Sequence, residues 1–456
     1  MVADGPVSAE EAGHMTGAGS DEVIVVGAGI SGLTAAFRLA AAGLNVKVLE
    51  SGDGPGGRMA TRALGDGLME LGAQFLSTGY QIIPELLKTV GLSDQVVKVS
   101  GRTLVVADSR SWRFDTDRSW TFVSGGLVRA RDMPAAARGM WSTRKLATRP
   151  ASDVVPWRDL DGHEGLEWAR ASFGSGLTRR LLLPSVNGLF FQELAGNSAV
   201  LPGTLAAFSA RRPKAFTLRG GLGALTTALA AKLDMEYDVR VERVQRPTSP
   251  GDPVSLATSR GARQARAVVI ATPAAPATRM LADPTPAERA VLHTTYSCEV
   301  LVGLALAEPL AADELGGAYG VLVSPESSSP LAAIAVYSRA DATAGGEVLT
   351  VMFRGDVSRQ LMTADDATIR TQAIDAVTPL LPGLADRVIE SQVSRWQEAL
   401  PYMHLGHATV VQRYRDHLPT ASPVLLAGDY LGLPWSDSAA FNGRWAADRL
   451  ITEHPA

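Results

Sequence analysis

Apolar residues in the first part of the chain form two short runs, separated by a longer segment with a helical pattern. The first run, Val23 to Val26, consists of β-branched residues and predicts a buried parallel strand. The segment Leu33 to Ala42 predicts a helix that ends at Gly43, and Leu44 to Leu49 predicts a second strand. This order predicts a βαβ unit, so we expect an α/β fold with a Rossmann-like domain.

The rest of the chain shows other patterns. Apolar positions in residues 80–215 are interrupted by Pro and Gly, which predicts a largely helical region. Beyond residue 290, four apolar runs predict strands, namely Val300 to Leu306, Gly320 to Val323, Ala332 to Val336 and Val348 to Phe353. We expect these strands to form a sheet in a second domain, of α+β type.

The turn between the first strand and the helix reads Gly27-Ala28-Gly29-Ile30-Ser31-Gly32. In such a turn the first glycine permits a tight bend, the second lets the backbone approach a pyrophosphate, and the third lets the helix pack against the strand. The helix N-terminus at Ile30 and Ser31 then offers N–H groups to the phosphates. Glu50 follows eighteen residues after Gly32, where a carboxylate can accept hydrogen bonds from a ribose. The unit predicts a dinucleotide cofactor, either NAD or FAD.

The residues after this unit distinguish between the two cofactors. Gly56-Gly57-Arg58-Met59 comes first, and Gly72-Ala73-Gln74-Phe75 follows. Both stretches resemble the extended FAD signature of the flavin amine oxidase and protoporphyrinogen oxidase superfamily. The resemblance implies that Gly57, Arg58 and Met59 lie in a loop close to the pyrophosphate, with Arg58 as a planar donor, and that residues 72–75 lie near the flavin.

Later stretches resemble the same superfamily. Arg219 to Leu225 is similar to its glycine-leucine turn, and Asp238 to Val244 is similar to the strand whose Val241 lies against adenine. Ala267 to Pro273, which contains Thr272, is similar to the strand that returns to the FAD domain.

The C-terminal stretch Leu425 to Ala446 resembles the superfamily most specifically. The resemblance implies that Gly428 and Asp429 contact the ribityl or phosphate region of FAD. It also implies that a helix starting near Ser438 and Ala439 directs main-chain N–H groups to the pyrimidine edge of the flavin, which a helix N-terminus stabilises in its reduced, negatively charged form.

The FAD motifs are spread along the chain, so we expect a discontinuous FAD-binding domain. We assign it to residues 22–77, 216–290 and 415–452, and a substrate-binding domain to residues 78–215 and 291–414. Residues 1–21, rich in Gly, Ala, Ser and acidic residues, predict a disordered tail. The single cysteine, Cys298, has no motif for covalent flavin attachment, so we expect FAD to be bound non-covalently.

Two branches of the superfamily compete for the substrate domain. Trp396 and Tyr402 belong to a stretch that resembles the porphyrinogen-oxidase pattern, whereas Trp435 occupies a place where amine and amino-acid oxidases carry an aromatic wall. We take these three residues as candidate catalytic residues. Amine oxidases also place a lysine on a substrate-domain strand, but the last lysine of this chain is Lys232. Its absence favours an oxidase or dehydrogenase that takes hydride from a tetrapyrrole or a specialised metabolite.

Three other functions stay open as alternatives. One is an amine or amino-acid oxidase, and another is a redox-neutral flavin-dependent isomerase. The third is a non-catalytic flavoprotein, in which Trp435 would block the flavin face. No second strand-GxGxxG-helix unit for a nicotinamide cofactor is visible, so we expect the substrate itself to reduce the flavin, and oxygen or another acceptor to reoxidise it.

Composition limits the partners and the location. With 43 basic and 47 acidic residues, the chain carries no charge signature for nucleic acid. The single cysteine suggests a reducing, cytoplasmic location. No apolar run outside the Rossmann segment is long enough for a transmembrane helix, whereas peripheral membrane contact stays open. Leu181 to Phe191 favours substrate-domain core over a membrane-touching surface. We predict a small-molecule substrate and no metal site, and leave the oligomeric state open.

Overall fold

A computed structural model describes residues 21–108, 110–249, 251–340 and 345–453. The strands of this part of the chain are β1 Val23–Val26, β2 Val46–Leu49, β3 Thr61–Leu64, β4 Gly67–Glu70, β5 Leu76–Ser77, β6 Val96–Lys98, β7 Arg102–Ala107, β8 Arg110–Asp115, β9 Ala215–Leu218, β10 Asp234–Glu236, β11 Val241–Gln245, β12 Val254–Thr258, β13 Gly261–Ala265, β14 Ala267–Ile270, β15 Glu299–Leu306, β16 Gly320–Val323, β17 Leu331–Val336, β18 Glu347–Phe353, β19 Val388–Trp396 and β20 Val424–Leu426.

The α-helices of the same ranges are α1 Ile30–Ala41, α2 Ile82–Thr89, α3 Thr121–Ser124, α4 Met133–Arg144, α5 Gly165–Leu177, α6 Leu183–Phe190, α7 Val200–Ala210, α8 Gly223–Ala230, α9 Ala274–Met280, α10 Pro286–Leu292, α11 Gly355–Leu361, α12 Asp366–Val377, α13 Leu384–Arg387, α14 His407–Asp416 and α15 Ser436–Glu453. A π-helical turn, Thr178–Leu182, joins α5 to α6. None of these described helices is both long and apolar enough to cross a membrane.

A parallel five-stranded sheet contains the strands of the predicted βαβ unit, and we call this part of the molecule the cofactor side. Its strand order is β10-β2-β1-β14-β20. Its central strands β1 and β14 are buried along their whole length, which explains their continuous apolar sequence. The predicted βαβ unit is present as β1, α1 and β2. The sheet takes its strands from three distant parts of the chain, because β10 and β14 come from the middle and β20 from the C-terminal part.

A seven-stranded mixed sheet is built from residues that the sequence assigns to the substrate-binding domain, and we call this part of the molecule the substrate side. Its strand order is β19-β15-β18-β17-β16-β7-β8. The four strands predicted beyond residue 290 all belong to it as β15 to β18. The prediction that residues 80–215 are largely helical was wrong for β6, β7 and β8, which precede helices α3 to α7. β7 pairs with β8 in a hairpin and lies parallel to β16, which is over two hundred residues away, so a local pattern does not reveal its place in the sheet.

Two further predictions concern single segments. Of the predicted disordered tail, residues 1–20 lie outside the described residues. The interpretation of Leu181 to Phe191 as substrate-domain core was confirmed, since its central residues Pro184, Val186 and Phe190 are buried in α6.

Helices α1 and α15 pack closely in front of the parallel sheet, and Gly443 makes this approach possible. A Cβ atom at Gly443 would overlap the carbonyl oxygen of Ser31 in the first turn of α1. The C-terminal helix can therefore reach the glycine-rich turn only with glycine at this position.

We predict that Gly443→Ala forces the two helices apart and lowers the free energy of unfolding by about 1–3 kcal/mol, as expected for overpacking. Thermal and urea unfolding would measure the loss. Gly162→Ala is the matched control, because a Cβ atom at Gly162 meets no atom within 4 Å. Equal stability of the two variants would contradict the proposed steric role of Gly443.

Candidate active site

One cavity of about 950 Å³ runs between the parallel sheet and the mixed sheet. Most of the residues that the sequence singled out for FAD border it: Gly29, Ile30, Ser31, Arg58, Met59, Gly72, Ala73, Gln74, Phe75, Thr272, Gly428, Asp429 and Ala439. The structure thus brings together side chains and turns from three distant parts of the chain. The residues Gly27, Gly32, Glu50, Gly57, Val241 and Ser438 do not line this cavity.

The glycine-rich turn is held by hydrogen bonds that leave its helix end facing the cavity. Gly27 has φ of +102°, a backbone conformation that favours glycine, and its N–H donates to the Leu49 carbonyl at 2.8 Å. The hydroxyl Oγ of Ser31 is buried and has no hydrogen-bond partner among the described residues. An unpartnered hydroxyl at a helix N-terminus fits a phosphate oxygen, so this turn suits the FAD pyrophosphate.

Glu50 connects the turn to the second strand. Its Oε2 accepts the N–H of Ala28 at 2.7 Å, and its Oε1 accepts the N–H of Gly52 at 2.8 Å. The carboxylate therefore fixes the turn itself, in addition to the ribose contact that the sequence predicts for it. The strand β11, which carries the predicted adenine contact Val241, starts close by, since the N–H of Val239 donates to the Glu50 carbonyl at 2.9 Å.

A cluster around Arg58 joins the two ends of the cofactor side. Its Nη1 donates to Asp429 Oδ2 at 2.5 Å and to the Ala399 carbonyl at 2.7 Å. The other carboxylate oxygen of Asp429 accepts the hydroxyl of Tyr296 at 2.9 Å. Burial, with the Asp429 charge beside it, raises the pKa of the Tyr296 phenol well above its ordinary value. Arg58 is thus anchored by protein groups, while its side chain still borders the cavity.

The first turn of α15 is arranged differently from the sequence-based expectation. The N–H groups of Ser438 and Ala439 each lie 3.2 Å from the Trp435 carbonyl oxygen, to which they donate. The Ser438 hydroxyl donates to the Ser152 carbonyl at 2.6 Å and accepts the Leu433 N–H at 2.8 Å. Ser438 therefore closes the turn before the helix, and only Ala439 of the pair reaches the cavity wall.

A buried carboxyl, Glu70, holds the glycine-leucine turn in place. Its two oxygens accept the N–H of Leu222 at 2.8 Å and the hydroxyl of Thr61 at 2.7 Å. Burial raises the pKa of this carboxyl to about 8. The start of α8 is thereby fixed against the loop that contains Arg58.

The substrate side of the cavity is predominantly apolar and aromatic. It is lined by Phe114, Phe122, Met140, Phe173, Leu177, Leu181, Leu189, Phe190, Phe191, Phe208, Tyr319, Val321, Ile334 and Met352. Trp435 forms part of this wall, with ring centroids 6.0 Å from Phe208 and 6.4 Å from Phe190, and its Nε1 donates to the Ala151 carbonyl at 2.9 Å. Phenylalanine, leucine and methionine side chains dominate this wall, and such a lining suits a large, flat, apolar molecule.

The other two candidate catalytic residues lie outside this wall. The indole of Trp396 donates to the Leu71 carbonyl at 2.5 Å. Tyr402 is stacked on His404, with centroids 5.5 Å apart, and lines a separate pocket of about 180 Å³ beside Arg359. The structure therefore brings only Trp435 of the three to the large cavity.

Charged residues of the cavity wall are few. The basic ones are Arg58, Arg144 and Arg212, and the acidic ones are Asp429 and Glu299. Arg144 and Arg212 are exposed, and their guanidinium groups have no ion-pair partner among the described residues. Glu299 was not among the sequence-derived site residues, although an acid at the start of the apolar strand Glu299–Leu306 is an unusual signal. Within the described ranges, no group of three or more His, Cys, Asp or Glu side chains could hold a metal ion.

Five exposed apolar side chains lie in or next to helices α3 and α4, and one of them, Met140, lines the same cavity. They are Trp120, Val123, Met133, Met140 and Trp141, called the patch below, and the exposed fractions of Trp120, Met140 and Trp141 are 65%, 67% and 75%. Residues 118–149, which contain the patch, carry seven Lys or Arg residues and one acidic residue in a chain of net charge −4. The patch therefore combines exposed aromatic rings with a locally basic surface.

Comparison with known proteins shows what the chain is similar to. The family described as "Flavin containing amine oxidoreductase" matches residues 30–451. A coproporphyrinogen III oxidase of Mycobacterium tuberculosis is 28% identical over 450 residues, covering 91% of this chain and 95% of the relative. A coproporphyrinogen III oxidase of Propionibacterium freudenreichii is also 28% identical, covering 94% and 90%. The solved structure of cyclohexylamine oxidase from Brevibacterium oxydans has a TM-score of 0.73 at 19% identity, covering 95% of this chain and 99% of that protein.

We predict that Glu50→Ala reduces FAD retention roughly tenfold, because the turn at Ala28 loses a hydrogen bond to a charged group worth about 1.5 kcal/mol. The flavin-to-protein absorbance ratio after gel filtration would measure the loss. Asp53→Ala is the control, since this exposed carboxylate pairs only with Arg62. Full flavin occupancy in Glu50→Ala would count against the assigned role.

Proposed function

Because the chain belongs to the family of flavin-containing amine oxidoreductases, we propose that it oxidises a porphyrinogen or a similar flat macrocycle that carries carboxylates. Family membership confirms the resemblance inferred from the sequence, together with the α/β fold class and FAD as the cofactor. The protein is an FAD-dependent oxidoreductase that acts on a small organic substrate. When bound, FAD accepts the two electrons that leave the substrate as hydride.

The apolar chamber supports a large conjugated or readily aromatised substrate. Its wall is built from phenylalanine, leucine and methionine side chains, with Trp435 at the cofactor side. Such a wall binds a ring system by burial and aromatic contact rather than by many hydrogen bonds. A porphyrinogen matches this lining, and the full-length relatives named above carry that substrate class in their names.

The charges at the cavity support carboxylate groups on the substrate. Arg144 and Arg212 border the cavity as exposed guanidinium groups without ion-pair partners in the described residues. Guanidinium groups bind carboxylates with charge-assisted hydrogen bonds. A small cationic amine would find no such complement, because Asp429 is already paired with Arg58 and Glu299 lies in an environment that favours its neutral form.

We predict that anaerobic mixing with coproporphyrinogen III bleaches the flavin and produces porphyrin fluorescence. Cyclohexylamine and L-amino acids are expected to leave the flavin oxidised. Bleaching by the amines alone would overturn the proposal. The double variant Arg144→Gln/Arg212→Gln should raise KM for coproporphyrinogen III by roughly tenfold or more, from the loss of charge-assisted hydrogen bonds, with a smaller effect on kcat.

A matched control for the arginine test is Arg170→Gln, because Arg170 is exposed on α5 and does not line the cavity. An unchanged KM in Arg170→Gln with a raised KM in the double variant would support carboxylate binding. Equal KM values in all three proteins would contradict it.

We also propose peripheral contact of this protein with an anionic membrane, through the patch of Trp120, Val123, Met133, Met140 and Trp141. Exposed aromatic rings insert at the level of lipid headgroups, and nearby Lys and Arg side chains are attracted to anionic lipids by about 1 kcal/mol each. Because Met140 also lines the cavity, a membrane contact there would place the bilayer next to the substrate chamber.

We predict that the protein sediments with vesicles of phosphatidylcholine and phosphatidylserine, and less with phosphatidylcholine alone. Trp120→Ser/Trp141→Ser should abolish sedimentation. Ile389→Ser is the control, since Ile389 is an exposed apolar residue outside the patch. Binding that survives the double tryptophan substitution, or that does not weaken with added salt, would contradict this contact.

A further inference from the structure

Glu299 is a buried acid in the wall of the substrate chamber. It is the first residue of β15, only 3% of its surface is exposed, and it lines the large cavity. Its neighbour across the sheet is Trp396 on β19, so the two side chains lie on the same face of the sheet. The seven strand residues that follow Glu299 are apolar or glycine and all buried.

The carboxyl group of Glu299 lacks the partners that a structural role would provide. Its Oε1 is buried without a hydrogen-bond partner among the described residues. Burial alone raises the pKa of this carboxyl well above its ordinary value. Glu347 on β18 of the same sheet shows the contrast, because it is equally buried but accepts the Ser338 hydroxyl at 2.6 Å and the Leu310 N–H at 3.0 Å.

The surrounding charged and titratable groups leave Glu299 unpaired. Those of the cavity wall are Arg58, Tyr80, Arg144, Arg212, Tyr319 and Asp429, and the neighbouring elements add Cys298, Arg359 and Arg395. None of them has a hydrogen bond or ion pair to Glu299 within the part of the chain that the structure describes. Arg58 is paired with Asp429, Arg395 with Asp366, and the Tyr319 hydroxyl donates to the Gln74 carbonyl. Cys298 Sγ donates to the Gln397 carbonyl, and Arg359 interacts with Tyr402. A buried polar atom without a partner costs stability, so its retention at a cavity wall indicates a ligand.

We propose that Glu299 accepts the proton that the substrate releases during the oxidation. This inference rests on the proposed function. In a two-electron step a substrate C–H bond would break, and its electron pair would leave with the hydrogen as hydride, which bound oxidised FAD would accept. A pyrrole N–H bond of the same conjugated unit breaks, and its proton passes to the Glu299 carboxylate. A new double bond joins the carbon to the ring system, so the substrate is oxidised by two electrons and FAD is reduced by two.

The apolar surroundings give this carboxyl the properties of a base. A carboxylate in a low-dielectric wall holds a proton more tightly than one in water, which makes it a stronger acceptor for the N–H proton. Before reaction, the carboxyl group offers a hydrogen-bond acceptor to the N–H group and thereby orients the ring. Glu299 would thus recognise the N–H groups that distinguish a porphyrinogen from other apolar molecules.

The test compares the wild type with Glu299→Gln, Glu299→Asp and the control Glu347→Gln in anaerobic stopped-flow reduction by coproporphyrinogen III. For the wild type we expect a rate constant of flavin reduction that rises with pH through the raised pKa of the acid. Glu299→Gln should be slower by roughly 100-fold or more and lose this pH dependence. Glu299→Asp should recover part of the rate, and Glu347→Gln should behave like the wild type in both respects.

A second measurement does not depend on turnover. Infrared spectra of the oxidised proteins at neutral pH should show a protonated-carboxyl band that is weaker in Glu299→Gln than in the wild type or Glu347→Gln, since the buried Glu70 contributes to this band in all three proteins. Because the folded protein favours the neutral acid, the free energy of unfolding of the wild type falls as pH rises through the raised pKa of Glu299. Glu299→Gln lacks this acid, so at alkaline pH it should be at least as stable as the wild type and should bind FAD at least as well.

The outcomes separate the two proposals. Reduction of Glu299→Gln at the wild-type rate and pH profile, or carboxyl bands of equal intensity in the wild type and Glu299→Gln, would overturn the role of Glu299 while leaving the substrate assignment standing. A wild-type flavin that coproporphyrinogen III does not bleach would overturn the substrate assignment, and with it the proton transfer from a pyrrole. If Glu299→Gln raised only KM for the substrate and left kcat unchanged, Glu299 would be a binding residue. That result would also contradict the proposal.

Discussion

The ion pair of the partly exposed Arg58 with the buried Asp429 is the interaction on which the cofactor side depends. Arg58 lies in the loop after β2, Asp429 follows β20, and the carbonyl of Ala399 and the hydroxyl of Tyr296 complete the cluster. Four distant segments of the chain thus meet at one guanidinium group and one carboxylate. Removing Arg58 would leave the buried Asp429 carboxylate without its cation, which is unfavourable because a buried charge needs a partner. The loop, the C-terminal turn and the segment leading to β15 are therefore held in one arrangement.

The cavity beside this ion pair has two chemically different sides. On one side, the glycine-rich turn and the N-terminus of α1 present main-chain N–H groups and the Ser31 hydroxyl, which suit phosphates. On the other, aromatic and aliphatic side chains form an apolar chamber whose unpaired acid is Glu299. Hydride transfer needs a substrate held against the flavin with water excluded, and an apolar wall opposite a polar cradle meets both requirements.

The sequence predicted the cofactor side better than the substrate side. The turn from Gly27 to Gly32 is a local motif whose geometry follows from the glycines themselves, so strand, turn and helix appear where they were expected. Trp396 and Tyr402 were chosen from a motif, but the side chain of each is held by other groups, at the Leu71 carbonyl and beside His404. Glu299 was missed as a site residue because its meaning lies in the absence of partners, which only the packed structure reveals.

The order of strands in the parallel sheet affects how the chain can fold. β1 pairs with β14, and β14 with β20, so the sheet gains its last strand only when residues near 425 are available. Contacts between such distant residues make folding slow, since long loops must close before the pairing stabilises them. During synthesis the N-terminal βαβ unit emerges long before its edge partner and α15. A flavin-binding protein of this topology therefore completes its cofactor pocket only after the residues of β20 and α15 have been synthesised, and shortened chains lacking the C-terminal strand are expected to expose apolar strand edges and to aggregate.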